Sequence, residues 1–253
     1  MKTKYFDVTD DGVTIKCKLY CGEGHNFSHV VISCHGFGGD KENSATLKLA
    51  ETLLPVHKDA AVLAFDWPCH GKDIKPKLDL NDCLRYLEVI LAYGKNVLGA
   101  QRLYCFATSF GGYLTLHYIH ERENPFEKIL LRCPAVYMYR LIAGNLTEQE
   151  QEQAELKKKK ETLHGREKKI RITAKFLEQL QEGDITTWDF SHLTENLLIL
   201  HGTKDSSVSH DVVEAFAEKN GIDFLSIVGG DHIFREPSKI REVLDYTMEH
   251  YFG

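Results

Sequence analysis

The sequence predicts an α/β fold: a mostly parallel sheet with helices on both faces and one inserted cap. Three observations lead there. Short apolar runs without alternation suit strands buried on both faces, helical spacing fills the gaps between them, and one connection is far longer than a crossover requires.

The chain opens differently. Residues 6–9 and 14–20 flank Asp10-Asp11-Gly12, whose turn chemistry predicts an antiparallel hairpin. Buried strands are then expected at 30–34, 61–65, 103–107, 128–133, 197–200 and 224–228. Helical spacing covers 41–53, 79–98, 112–121, 209–218, and 238–251 after Pro237.

The long connection, 134–190, reads as a cap inserted into a core formed by 1–133 and 191–253. Within it, Thr147-Glu148-Gln149-Glu150 fits a capping box, and the acidic start followed by Lys157 to Lys160 matches a helix dipole ending at Gly165. Beyond that, 166–172 reads as extended and 173–180 as a short helix ending near Gly183. The lysine run beside several glutamates reads as a solvated helix face.

Composition narrows the function classes. At 253 residues and 43% hydrophobic content one domain can bury a full core. A formal net charge of -6 argues against nucleic acid as a partner and leaves small molecules. The first residues, with Asp7, Asp10 and Asp11 close behind the basic ones, do not resemble a secretion signal, and no apolar stretch suits a membrane span. A cytoplasmic protein is expected. Seven cysteines without a CxxC pair suit reduced thiols, with Cys34, Cys105 and Cys133 in the core. The oligomeric state is left open, a homo-oligomer included.

The chemistry-bearing residues follow strands. Ala107-Thr108-Ser109-Phe110-Gly111-Gly112 joins the run 103–107 to a helical pattern, the context of a nucleophile elbow, with Ala107 where the first glycine of G-x-S-x-G stands. An alcohol needs a base to take its proton and a third group to orient that base. His232 lies just beyond 224–228 and Asp205 just beyond 197–200, so both fall at the sheet edge that holds Ser109. Asp231 is the rival acid, but its place beside the base turns its side chain elsewhere. His201 precedes a tight Gly202 turn and suits structural hydrogen bonds. His117 and His120 share a helix without a nearby carboxylate or cysteine cluster, so no metal is expected. After 30–34 comes the glycine-rich loop Cys34-His35-Gly36-Phe37-Gly38-Gly39, which lacks the Lys-Ser/Thr ending of a P-loop.

With Phe65-Asp66-Trp67-Pro68-Cys69-His70-Gly71, similar to a D-x-x-G-H-G segment with Cys69 in place of glycine, these motifs resemble the α/β-hydrolase superfamily over nearly the whole chain. The chain order Ser, Asp, His is that of the family and not of chymotrypsin-like or subtilisin-like proteases. The resemblance is to its serine esterase, monoacylglycerol-lipase-like and feruloyl or cinnamoyl esterase-like branches. It implies the α/β-hydrolase fold, a triad of Ser109, Asp205 and His232, an oxyanion hole from the backbone N–H groups of Phe37 and Phe110, a small-molecule ester as substrate, and no cofactor. Trp67, Tyr137, Tyr139 and Trp188 are candidate pocket aromatics that equally suit core packing. An acyl-peptide or proline-type peptidase would share the triad, and a non-catalytic binding protein would share the fold. A dehalogenase would carry a carboxylate where Ser109 stands.

Overall fold

The computed structural model describes residues 1–24, 27–144, 160–161 and 170–253. The Thr147 to Glu150 capping box, Gly165 and the lysines from 157 to 159 lie outside the described residues.

The opening hairpin pairs β1 (Lys2–Asp10) with β2 (Val13–Cys21) around Asp11 and Gly12, which both take positive φ, as the tight turn demands. Both strands run longer than the apolar pattern predicts. The added residues, Lys2 to Tyr5, are exposed on an edge strand, where polarity is no bar to pairing.

Next come β3 (His29–Cys34), α1 (Ser44–Val56), β4 (Ala60–Phe65), α2 (Leu80–Asn96), β5 (Arg102–Thr108), α3 (Phe110–Glu121) and β6 (Lys128–Arg132). Asn43 and Asp79 cap α1 and α2 with their side chains. After the long connection the chain returns through β9 (Leu197–Gly202), α6 (His210–Asn220), β10 (Asp223–Ile227) and α7 (Pro237–Phe252), the last with proline in its first turn.

The eight core strands lie in the order β1-β2-β4-β3-β5-β6-β9-β10, and β2 alone runs against the others. Successive residues of β5 face opposite sides. Leu103, Cys105 and Ala107 meet the cluster holding α2, α3 and α6, while Tyr104 and Phe106 meet the one holding α1 and α7. Helices therefore cover both faces, and each fully buried leucine or phenylalanine contributes about 1.5–3 kcal/mol. All seven cysteines are buried and none forms a disulfide.

Within 134–190 the described elements are α4 (Met138–Ala143), the paired β7 (Lys160–Glu161) and β8 (Ile170–Arg171), and α5 (Ala174–Glu182), followed by a 3-10 turn (Ile185–Thr187). Thr173 caps α5 and Gly183 ends it. Gln179 anchors α5 to the start of α2, accepting the Leu80 N–H at 3.1 Å and donating to Asp79 Oδ1 at 3.1 Å. The Tyr113 hydroxyl donates to the Gly183 carbonyl at 2.9 Å.

Candidate active site

Ser109 sits in the one-residue turn between β5 and α3 with φ 53 and ψ -115, a left-handed region that costs about 1–3 kcal/mol for a residue with a side chain. Three bonds hold it there. Its N–H donates to the Arg132 carbonyl at 3.0 Å, and its carbonyl accepts from Tyr113 and Ala135, both at 3.1 Å. The turn also needs Gly111, since a Cβ there would lie 2.4 Å from the Cys34 carbonyl oxygen and 2.8 Å from that of His35. Helix α3 starts at Phe110, two residues before its expected start, because the strained serine lets the helix begin at once.

The acid and base arrive on neighbouring loops. Lys204 N–H donates to the Gly230 carbonyl at 2.9 Å and Thr203 N–H to Ile227 at 3.1 Å. These loops touch at Gly202, where a Cβ would lie 2.3 Å from the Gly230 oxygen. His232 Nδ1 is 2.7 Å from Asp205 Oδ2, and the Asp205 side chain is wholly buried. The other oxygen, Oδ1, accepts the N–H groups of Ser207 (2.8 Å) and Val208 (2.9 Å). Burial pushes the Asp205 carboxyl up, but hydrogen bonds from His201 and His232, the charge on His232 and the Val208 N–H outweigh it. The group is held well below the usual carboxylate range. Asp231 instead faces Arg235, accepting its N–H at 2.9 Å and pairing with its guanidinium at 3.1 Å.

Ser109 and His232 line one cavity of about 330 Å³ together with Gly36, Phe37, Asn43 and Ser206. No hydrogen bond joins Ser109 to His232 among the described residues; such bonds are commonly long before substrate binds. The loop carrying Phe37 is braced from below. His35 Nε2 accepts the Trp67 N–H at 3.2 Å, its Nδ1 lies 2.8 Å from the Gly36 carbonyl, and the Trp67 indole donates to the His35 carbonyl at 2.9 Å. Asp66 ties the same loop through Lys41. A Cβ at Gly36 would lie 3.2 Å from that of Ser109, so the loop passes close to the serine at Gly36. The Phe37 ring stands edge-on to Phe110, centroids 5.5 Å apart.

The four candidate pocket aromatics lie elsewhere. Trp67 is fully buried against Phe65 and braces the loop beneath the cavity. The Tyr137 hydroxyl accepts the Ser209 N–H at 2.6 Å, and Tyr139 packs on the core. Trp188 stacks on His120 at 4.1 Å and lines a separate cavity of about 370 Å³ with His117 and Glu121. None of the four is among the residues lining the cavity that holds Ser109 and His232, and aromatic size marks burial as readily as binding. The cavity's polar wall, Asn43, Ser206, Ser207 and Arg235, carries no motif; Ser206 and Arg235 are signalled only by closeness to Asp205 and His232.

Among the described residues, two groups bring metal-capable atoms within 4.8 Å of one another: Cys133, His201 and Asp205, and His210, Asp211 and Glu214. Neither includes His117 or His120. Cys133, expected as plain core, follows β6 with φ 43 beside Asp205, and burial, then the Asp205 charge, push its thiol up. No helix among the described residues is long and apolar enough to cross a membrane.

The fold and the elbow define an α/β hydrolase, and the chain belongs to the alpha/beta hydrolase fold family, whose model matches residues 29–156. Among solved structures it is similar to Est1E from Butyrivibrio proteoclasticus with ferulic acid bound, at 19% identity and TM-score 0.75, covering 98% of this chain and 100% of that one. A putative hydrolase from Agrobacterium vitis S4 matches at 16% identity and TM-score 0.79, covering 98% of each chain. A soluble variant of monoglyceride lipase from Saccharomyces cerevisiae, with a substrate analogue, matches at 14% and 0.71, covering 97% and 93%. At these identities the likeness is one of fold. No curated protein matches by sequence.

Proposed function

We propose that the protein is a serine hydrolase that cleaves a carboxylic ester through an acyl-enzyme on Ser109. The observation that carries the reading is the 2.7 Å contact of Asp205 with His232, made at the rim of the cavity that also holds the strained Ser109.

His232 takes the Ser109 proton as the oxygen attacks the ester carbonyl. The oxyanion is met by the backbone N–H groups of Phe37 and Phe110. Collapse expels the alcohol, which receives the proton from His232, and leaves the acyl-enzyme. Water, deprotonated by His232, releases the acid and restores Ser109, with Asp205 holding the imidazole tautomer throughout. No step calls for a cofactor.

A cavity of about 330 Å³ with Phe37 on one side suits a short-chain or aromatic-acid ester, and the ferulic acid bound by the Est1E relative is in keeping with the second. In this reading 134–190 is a cap on a core of 1–133 and 191–253, and the protein works in the cytoplasm on a small molecule. The test is fluorophosphonate labelling and p-nitrophenyl acetate hydrolysis by wild type and Ser109→Ala. Both signals present in wild type and lost together in the variant support the reading. A folded wild type that neither labels nor turns over overturns it in favour of a binding protein.

A further inference from the structure

The Asp205 carboxylate meets two imidazoles. His232 Nδ1 lies 2.7 Å from Oδ2, and His201 Nε2 lies 3.2 Å from the same oxygen and 3.1 Å from the Val208 carbonyl. Carboxylate and carbonyl oxygens only accept, so His201 carries its proton on Nε2. The His201 side chain is wholly buried, and its Nδ1 has no hydrogen-bond partner among the described residues. A buried polar ring that satisfies one nitrogen and abandons the other costs more than an apolar side chain of similar size, unless the bond it makes has a use.

We propose that His201 is a positioning residue for hydrolysis, its Nε2–H fixing the Asp205 carboxylate so that Oδ2 faces His232. The proposal rests on the serine-hydrolase reading. Two N–H groups hold Oδ1, and the His201 Nε2–H, shared with the Val208 carbonyl, stands 3.2 Å from Oδ2, so turning the carboxylate disturbs contacts at both ends. The donor also shares the negative charge that Oδ2 offers to His232. Its loss concentrates the carboxylate charge on the bond to His232, a change that the pH profile of kcat/KM reads.

The neighbours of His201 are few. Cys133 closes the end of β6 after Arg132, and His210 on α6 stands edge-on at 5.7 Å. His210 itself faces Asp211 at 3.3 Å, Glu214 at 3.8 Å and the Ser226 hydroxyl at 2.8 Å. Phe224 of β10 covers the remaining side. Asp205 is the carboxylate His201 touches, and His210 screens it from the acidic pair on α6.

The pair His201→Gln and His201→Asn tests this with matched polarity. Glutamine sets its amide N–H where Nε2 lies, and asparagine falls short of it. The readings are kcat for p-nitrophenyl acetate, the pH profile of kcat/KM from pH 5 to 9, the urea midpoint, and the proton resonance of His232 Nδ1–H. His201→Gln is expected to keep the wild-type profile and resonance. His201→Asn is expected to lower kcat about tenfold to hundredfold, to move the acid limb by about half a unit or more, and to shift the resonance. Equal behaviour of the two variants, or an unmoved acid limb and resonance in a folded His201→Asn, overturns the proposal and leaves His201 merely structural. The resonance needs no turnover, so a wild type without Ser109-dependent hydrolysis sinks the esterase reading while the Asp205–His201 contact is still read directly.

Discussion

Asp66 and Lys41 form a buried ion pair that holds the loop of Phe37 to the end of β4, and the two partners are not equally dispensable. Asp66 accepts three hydrogen bonds: from Lys41 Nζ at 2.7 Å, from the Lys41 backbone N–H at 2.9 Å and from the Lys72 N–H at 2.8 Å. The carboxylate is wholly buried and the Lys41 side chain nearly so. In Asp66→Ala the ammonium loses its carboxylate and two amides lose their acceptor, so the cost is expected at about 3–5 kcal/mol. In Lys41→Met the carboxylate keeps both backbone donors and methionine refills the stem volume, for about 1–3 kcal/mol. The double variant is expected to be more stable than Asp66→Ala alone, because no charge is left stranded. Urea denaturation at neutral pH, with m compared across the set, reads the order directly. Turnover should fall with Asp66→Ala beyond what unfolding explains, since the loop loses its anchor. An Asp66→Ala loss within about 1 kcal/mol of wild type, or a Lys41→Met loss as large as that of Asp66→Ala, would refute the account of which partner is left uncompensated.

Gly111→Ala places a Cβ 2.4 Å from the Cys34 carbonyl oxygen and should push α3 from the oxyanion loop; fluorophosphonate labelling of Ser109 should slow at least about tenfold, and an unchanged rate would refute the tight fit. Asp205→Asn should lower kcat by about 10⁴ by misorienting His232, read with p-nitrophenyl acetate. Because the Asp205 carboxyl is held below its unfolded value of about 3.9, its stabilisation is complete above that pH and is lost as pH falls through the folded value. Thermal melts of wild type and Asp205→Asn should therefore differ above about pH 4 and begin to draw together as pH falls below it. Arg132 is fully buried, pushed down to about 10 by burial, and held by Thr108 Oγ1, the Ile233 carbonyl and the rings of Phe106 and Phe234. Arg132→Met exchanges lost cation–π and hydrogen-bond contacts for relief of desolvation, so urea midpoints should place it within about 1 kcal/mol of wild type; a loss above about 2 kcal/mol would show the guanidinium to be net stabilising.

Local chemistry made much of the fold legible. Asp79 capping α2, Pro237 opening α7 and the Asp11-Gly12 turn each act within a few residues of themselves, so their consequences can be read along the chain. The same holds for Ser109, Asp205 and His232, each set just past a strand end at one edge of the sheet, although 224–228, expected to be buried, falls at the edge strand β10, with Ile227 buried and Leu225 and Val228 exposed. The polar strand from Lys2 to Tyr5 was not legible, because its pairing depends on β2 and not on its own side chains.

By itself the sequence determined the alternation of strands and helices, the order of Ser109, Asp205 and His232, and the glycine-rich loops that let backbones approach, because each rests on periodicity or on a neighbour's conformation. The tertiary structure alone decided that Trp67 braces a loop while Trp188 stacks on His120, that Asn43 and Arg235 share a cavity wall, and that His201 meets the oxygen that orients His232. Those contacts join residues from separate loops, and which side chains converge is set by the register and twist of the sheet between them, which no single segment encodes.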